Sequence, residues 1–126
     1  MNDQVKMTVW GRELELGVTY DCYSDEEILE AQREAVKDFV KATEAINQAL
    51  SSVVEYCLKR DGGKIGSNKI ENIFRYVAPK YLYVVREEKK HVVAIMCNYR
   101  FDTENGVAIV FEDEKFLKIG TQDSIL

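Results

Sequence analysis

Residues 81–119 read YLYVVREEKKHVVAIMCNYRFDTENGVAIVFEDEKFLKI, and this stretch decides the fold. It contains four apolar segments, and the segments between them are short and charged, as the loops of β-hairpins are. The pattern predicts four strands, at residues 81–86, 91–99, 106–111 and 115–119. Strands joined by such short connections lie side by side, so we expect this half of the chain to form an antiparallel sheet.

Residues 5–20 predict a further β-hairpin at the other end of the sequence. Apolar side chains occupy every second position on both sides of Gly11, which is typical of strands with one buried face. Trp10 is the exception, because it is phased with the polar residues Lys6 and Thr8. An interface role for Trp10 and simple packing under a loop or a helix end are both compatible with this phase.

A long helix is predicted between the two groups of strands. Ser24 and Glu27 match a capping box, apolar residues then recur at helical spacing, and Gly62 and Gly63 provide a stop. A helix of about 34 residues would be about 50 Å long, whereas a domain of this size is about 36 Å across. We therefore expect the helix either to bend, most easily at the two serines of residues 51–52, or to overhang.

A short helical turn is predicted at residues 70–77, where Pro79 should end it. The complete element order is ββααββββ, with about six strands. This order indicates a single α+β domain over residues 1–126, in which one long and one short helix pack on one face of an antiparallel sheet.

Composition excludes several classes of protein. The chain has 126 residues and a net charge of −5, so most of its surface repels the phosphates of nucleic acids. Basic side chains concentrate in residues 59–90, which would have to bind nucleic acid alone, and we therefore expect no nucleic-acid binding. The N-terminal residues lack the apolar run of an export signal, and no segment approaches the roughly 20 apolar residues of a membrane span. Cys22, Cys57 and Cys97 include no C-x-x-C pair, which favours reduced thiols. These features predict a soluble, cytoplasmic protein that does not bind membranes.

Candidate catalytic and metal sites are weak in the sequence. His91 is the only histidine, and Cys97 lies six residues further along the same predicted strand, about 20 Å away, so the two cannot form a nucleophile–base pair. The glycine-rich segment 62–69 lacks the order of a phosphate-binding loop, and the acidic turns at residues 102–105 and 112–114 lack the spacing of a calcium loop. We therefore expect no enzyme activity, no metal and no cofactor.

The C-terminal segment carries two short motifs. Residues 102–106 read D-T-E-N-G and residues 120–123 read G-T-Q-D. Together with the opening strand pair and a glutamine, Gln32, near the start of the long helix, they resemble a family of small bacterial α+β domains of unknown function found among toxin-immunity type proteins. The resemblance implies an antitoxin-like binding role. The residues themselves favour a structural role, in which Gln122 and Asp123 tie the tail to the sheet.

An acidic segment is the candidate partner surface. Six acidic side chains lie between residues 25 and 38, against only Arg33 and Lys37. We expect a basic protein partner, such as a cognate toxin, to be steered to this surface, with Trp10 as a nearby anchor. The predicted partner-binding residues are Trp10, Glu26, Glu27, Glu30, Glu34 and Asp38. A solvated helix face that serves only solubility is the simpler interpretation.

Two functions therefore stay open. The first is a non-enzymatic, protein-binding domain that acts as an immunity protein by neutralising a bacterial toxin. The second is a small-ligand-binding or regulatory domain with a pocket between the helix and the sheet. Self-association through the overhanging helix or an edge strand is compatible with either function.

Overall fold

A computed structural model describes residues 3–126. Residues 1–2 lie outside this range, and they begin the N-terminal segment for which no export signal is predicted. Six strands form one sheet in the order β1-β2-β3-β4-β5-β6. The elements are β1 (Asp3–Val9), β2 (Arg12–Tyr20), α1 (Glu30–Phe39), α2 (Thr43–Gln48), α3 (Leu50–Ile65), β3 (Val77–Val84), β4 (Val92–Tyr99), β5 (Val107–Glu112) and β6 (Lys115–Gly120). Short 3-10 turns lie at Ile73–Arg75 and Gln122–Ser124. The predicted α+β class and the element order ββααββββ are confirmed.

One strand pair in the sheet is parallel. All other neighbours pair antiparallel, but β2 and β3 run in the same direction, with Gly17 opposite Tyr81 and Tyr20 opposite Val84. Parallel neighbours need a long crossover connection, and the helices between β2 and β3 provide it. The sheet is therefore mostly antiparallel, with its helical layer inserted at one pair.

The helical layer is divided where the sequence predicts one continuous helix. The chain first becomes helical at Glu30, so the predicted start at Ser24 is wrong, and it departs from helical geometry at Ala42. The predicted bend is present, chiefly at residues 40–42 and at Asp61. A milder interruption at Ala49 lies beside the two serines, where the Ser51 hydroxyl donates to the Gln48 carbonyl at 3.3 Å. Because α2 contacts both edge strands, β1 and β6, the sheet curls around the helices, and one straight helix could not follow it.

The segment after α3 is also more extended than predicted. The 3-10 turn at Ile73–Arg75 is all that forms of the short helix, and the side chain of Asn72 caps it by accepting a hydrogen bond from the Phe74 amide at 3.1 Å. Pro79 lies inside β3, where the register against β4 shifts. Proline lacks an N–H donor, so such an irregular position is one that a strand can offer it.

The main core lies between the helices and one face of the sheet, where Phe39, Ile46 and Val53 are buried. The opposite face carries a second, smaller cluster on β4 and β5, formed by Ala94, Met96, Ala108 and Val110 and flanked by Tyr81, Tyr83, Val92 and Ile125. These two strands are therefore buried on both faces, which explains their continuous apolar sequences. Within residues 3–126, no helix combines the length and the apolar character needed to cross a membrane.

Candidate protein-binding surface

The start of α1 is anchored to the sheet by one buried amide. The Gln32 side chain is 1% exposed; its Oε1 accepts from the Leu29 amide at 2.9 Å, and its Nε2 donates to the carbonyls of Asp21 and Val84 at 3.1 and 3.2 Å. The Asp21 amide in turn donates to the Val84 carbonyl at 2.8 Å. Gln32 thus joins the ends of β2 and β3 to the first turn of α1, and it does so in place of the capping box predicted at Ser24.

Glu26 and Glu27 lie in the irregular segment before α1, beside Arg86. The Glu26 carboxylate is 3.3 Å from Arg86 Nε and also accepts from the Tyr23 amide at 2.8 Å. Arg86 Nη1 donates to the Glu27 carbonyl at 2.9 Å, which leaves the Glu27 carboxylate exposed. Glu26 is therefore already paired within the chain, whereas Glu27 points its charge into solvent.

The exposed face of α1 carries a row of carboxylates that we call the acidic ridge: Glu30, Glu34 and Asp38. These residues recur every fourth position and so follow one line along the helix surface. All three are exposed, while Gln32, Ala35, Val36 and Phe39 on the other face are buried. Within residues 3–126, Glu30 and Glu34 form no ion pair.

Asp38, at the end of this ridge, faces His91 and Glu114. The His91 Nδ1 atom lies 3.7 Å from Asp38 Oδ2 and 3.3 Å from Glu114 Oε2. The backbone of His91 is held by two bonds to Asp113: its amide donates to Asp113 Oδ1 at 2.9 Å, and its carbonyl accepts from the Asp113 amide at 2.7 Å. One imidazole nitrogen and two carboxylates therefore converge from three parts of the chain, an arrangement that could hold a metal ion and that the sequence analysis missed.

Trp10 does not lie beside the acidic ridge, contrary to the prediction. It occupies the β1–β2 turn, whereas the start of α1 is tied to the opposite end of the nine-residue β2, about 26 Å away at roughly 3.3 Å per step. Its indole Nε1 donates to the Ile46 carbonyl at 3.1 Å, and its ring lies 5.7 Å from that of Phe74. Packing under a helix end thus accounts for Trp10, and its φ of 51° in the turn explains why it is out of phase with the apolar positions.

The thiols and the glycine-rich segment have structural surroundings. Burial raises the pKa of both the Cys57 and the Cys97 thiols, and neither side chain is accessible. The helix α3 kinks at Asp61, directly before the stop predicted at Gly62 and Gly63, and a further helical turn then ends at Gly66, which adopts a left-handed φ of 76°. The start of the glycine-rich segment is therefore a helix end.

The C-terminal motifs join three segments of the chain through hydrogen bonds. Asp102 accepts hydrogen bonds from the backbone and the side chain of Asn105 and from the guanidinium of Arg60, which lies in α3. The backbone amide of Gln122 donates to the Asn105 carbonyl at 2.9 Å, and its side-chain Nε2 donates to the Cys97 carbonyl at 3.1 Å. The predicted tethering of the tail is therefore confirmed for Gln122, whereas Asp123 accepts from the neighbouring Thr121 hydroxyl.

Clefts are found at the margin of the fold. A cleft of about 280 Å³ is lined by residues that include Trp10, Leu50, Val54, Ile70 and Phe74. The space between the helices and the sheet is filled by side chains such as Phe39, Ile95 and Ile109, which are at most 1% exposed. A ligand pocket at the predicted place, between helix and sheet, would have to displace these core side chains.

Comparisons with known proteins identify a family without a known activity. No curated protein and no solved structure gives a significant match. A family profile with the description "Domain of unknown function (DUF6985)" matches residues 1–126, which is the whole chain. The chain therefore belongs to the DUF6985 family.

Proposed function

We propose that this chain is a non-enzymatic protein-binding domain that receives a basic protein partner on its acidic ridge, and that it acts as an immunity protein by neutralising a bacterial toxin. The observation that carries the proposal is the exposure of Glu30 and Glu34 on α1 without a charge partner among residues 3–126. The exposed Glu27 carboxylate, just before α1, adds to the same negative field.

Rigidity supports a binding role for this ridge. The inner face of α1 packs through Phe39, whose ring lies 5.0 Å from that of Phe111, and its start is fixed by Gln32. A preorganised surface loses little conformational entropy when a partner binds. The ridge can therefore offer its charges to a partner without first ordering a loop.

Electrostatics favour a basic partner. The net charge of −5 and the unpaired carboxylates of Glu30 and Glu34 attract positive surfaces, such as the substrate groove of a nuclease, over a distance set by the salt concentration. Complementary charges of this kind chiefly raise the association rate. An immunity protein benefits from fast association, because it must capture the toxin before the toxin acts.

The experiment measures association with the product of the neighbouring gene, where that gene encodes a toxin. The variant Glu30→Lys with Glu34→Lys reverses the ridge and leaves Asp38 in contact with His91. The matched control, Glu71→Lys with Glu104→Lys, makes the same change in net charge at two exposed positions that lie outside the helices and strands.

At low salt we expect the ridge variant to associate at least about tenfold more slowly than the control, since steering alone changes association rates over this range. The difference should shrink as salt is added. Equal association rates for the two variants would contradict the proposal.

A second candidate, a small-ligand or regulatory domain, is favoured by the cleft beside Trp10. The aromatic side chains of Trp10 and Phe74 line this cleft. Arg12 lines it as well, and its guanidinium lies 4.0 Å from the centre of the Phe74 ring. A gene neighbourhood of metabolic enzymes would support this candidate, and a ligand seated there would change the fluorescence of Trp10.

A further inference from the structure

We propose that Asp38, His91 and Glu114 form a binding site for a divalent transition-metal ion, for which Zn²⁺ is the matching probe. The three residues come from α1, from the residue before β4 and from the β5–β6 turn. Their ligand atoms all lie within 4.8 Å of one another. The site needs no protein partner and goes beyond the proposed function.

The distances suit a shared cation better than a shared proton. The Nδ1 atom of His91 can carry one hydrogen, yet two carboxylates face it, at 3.3 and 3.7 Å. The contact with Glu114 is a long hydrogen bond, and both separations exceed the roughly 2.7–2.9 Å of a charge-assisted hydrogen bond. Zinc bonds of about 2.0–2.2 Å in tetrahedral geometry place neighbouring ligand atoms about 3.4 Å apart, which is close to both values.

The ligand set indicates the class of metal. An imidazole nitrogen with carboxylate oxygens suits Zn²⁺ and related transition metals, whereas Mg²⁺ and Ca²⁺ prefer oxygen ligands alone. Two carboxylates at one point also repel each other, and a divalent cation would remove that repulsion. Because the three ligand side chains are between 22% and 50% exposed, a fourth position is open to water.

The scaffold holds the ligands in place before any ion arrives. His91 is fixed by its two backbone bonds to Asp113, and Asp113 and Glu114 both adopt left-handed φ values, 49° and 63°, in a tight two-residue turn. Asp38 precedes Phe39, which packs on Phe111 next to the same turn. A bound ion would therefore join the end of α1 to the β5–β6 turn and stabilise the folded state by mass action.

The test is a titration of untagged, chelator-treated protein with ZnCl₂ in a Cys22→Ser background, which removes the one thiol that is not fully buried. We expect one Zn²⁺ per chain by calorimetry and a higher Tm in its presence. His91→Ala, Asp38→Asn and Glu114→Gln should each weaken binding by at least about tenfold. Glu112→Gln is the matched control, because this neighbouring carboxylate pairs with Lys90 and is outside the site.

Circular dichroism of each variant separates lost binding from lost folding, and the surface variants Asp38→Asn and Glu114→Gln decide the matter if His91→Ala is unstable. Absence of Zn²⁺ binding to the folded background protein, or equal binding by the ligand variants and Glu112→Gln, would overturn the proposal. The ridge variant Glu30→Lys with Glu34→Lys should bind Zn²⁺ normally, so failure of the partner proposal and failure of the metal proposal are distinguishable.

Discussion

The phenolic hydroxyl of Tyr99 donates a 2.6 Å hydrogen bond to Oδ2 of Asp61 at the point where α3 departs from helical geometry. Tyr99 ends β4 and is 1% exposed, and Asp61 has φ −131° and ψ 25° inside the helix. Burial, followed by the bond to Asp61, raises the pKa of the Tyr99 hydroxyl, which therefore stays protonated and remains the donor. The kink thus directs the Asp61 carboxylate to the end of β4.

Replacing Tyr99 by Phe should lower the free energy of unfolding by about 1.5–3 kcal/mol, because the nearly buried Asp61 carboxylate loses its hydroxyl donor. Urea unfolding at neutral pH measures the change. Tyr23→Phe is the control, since that side chain is 79% exposed, and it should change the stability little. Equal stabilities for the two variants would show that the bond contributes nothing.

Asp102 should make the fold sensitive to acid. Its pKa is lowered by the hydrogen bond from Arg60 and then by those from Asn105, so its folded pKa lies below the unfolded value of about 3.9. A group of this kind stabilises the fold above the unfolded pKa, and the contribution is lost as the pH falls through the folded pKa.

Asp102→Asn should therefore be less stable than the unmodified protein at pH 7, and the difference should narrow as the pH falls below about 4. Urea unfolding across this pH range checks it, with Asp25→Asn, at an exposed position before α1, as the control. A difference that stays constant with pH would contradict the assignment.

Gly106 should tolerate no side chain. It has φ 58°, and a Cβ there would lie 2.6 Å from the Cys97 carbonyl oxygen and 2.7 Å from Gln122 Nε2. Gly106→Ala should cost at least about 2 kcal/mol through backbone strain and the clash with the sheet. Gly63→Ala, inside α3 with nothing within 4 Å, should be neutral or stabilising, as measured by thermal unfolding. Similar effects of the two substitutions would refute this account.

Local patterns predicted the strands well and their pairing less completely. Alternation in residues 5–20 and the short charged turns after residue 81 depend on neighbours in sequence, so the strands were placed within a few residues. The parallel pairing of Gly17 with Tyr81 joins segments on either side of the helices. No local signal specifies such a pair.

The breaks in the helical layer are hidden by the same periodicity that predicts the helices. Phe39, Ile46 and Val53 are spaced by seven residues, so the apolar pattern continues across both breaks. The capping pattern at Ser24 is a local match, whereas the start of α1 is determined by Gln32, whose partners include Val84. Tertiary contacts prevailed over local propensity in both cases.

The candidate surfaces show the same limit. Exposure of Glu30 and Glu34 followed from helical periodicity, since they lie opposite the buried face of α1. The approach of Asp38 and Glu114 to His91 joins residues far apart in sequence, and only the fold reveals it. A sequence motif could not have indicated that cluster.

Gln32 provides a test of how α1 is attached to the sheet. Gln32→Ala leaves the Leu29 amide without its acceptor and removes the donor to the Asp21 and Val84 carbonyls, so it should cost about 2–4 kcal/mol in urea unfolding. Gln48→Ala is the control, because the exposed Gln48 side chain bonds, among residues 3–126, to Glu44 alone.

Gln32→Glu distinguishes the contribution of the accepting oxygen of the Gln32 side chain from that of its donating nitrogen. The new carboxylate can still accept from the Leu29 amide, but in its ionised form it places an oxygen against the Val84 carbonyl, where the amide donated. At pH 7 it should be at least as destabilising as Gln32→Ala. As the pH falls towards about 4, a protonated carboxyl regains a donor, so the Glu variant should recover stability relative to the Ala variant. If the two variants keep the same difference across this pH range, the donor to Val84 is not what attaches α1 to the sheet.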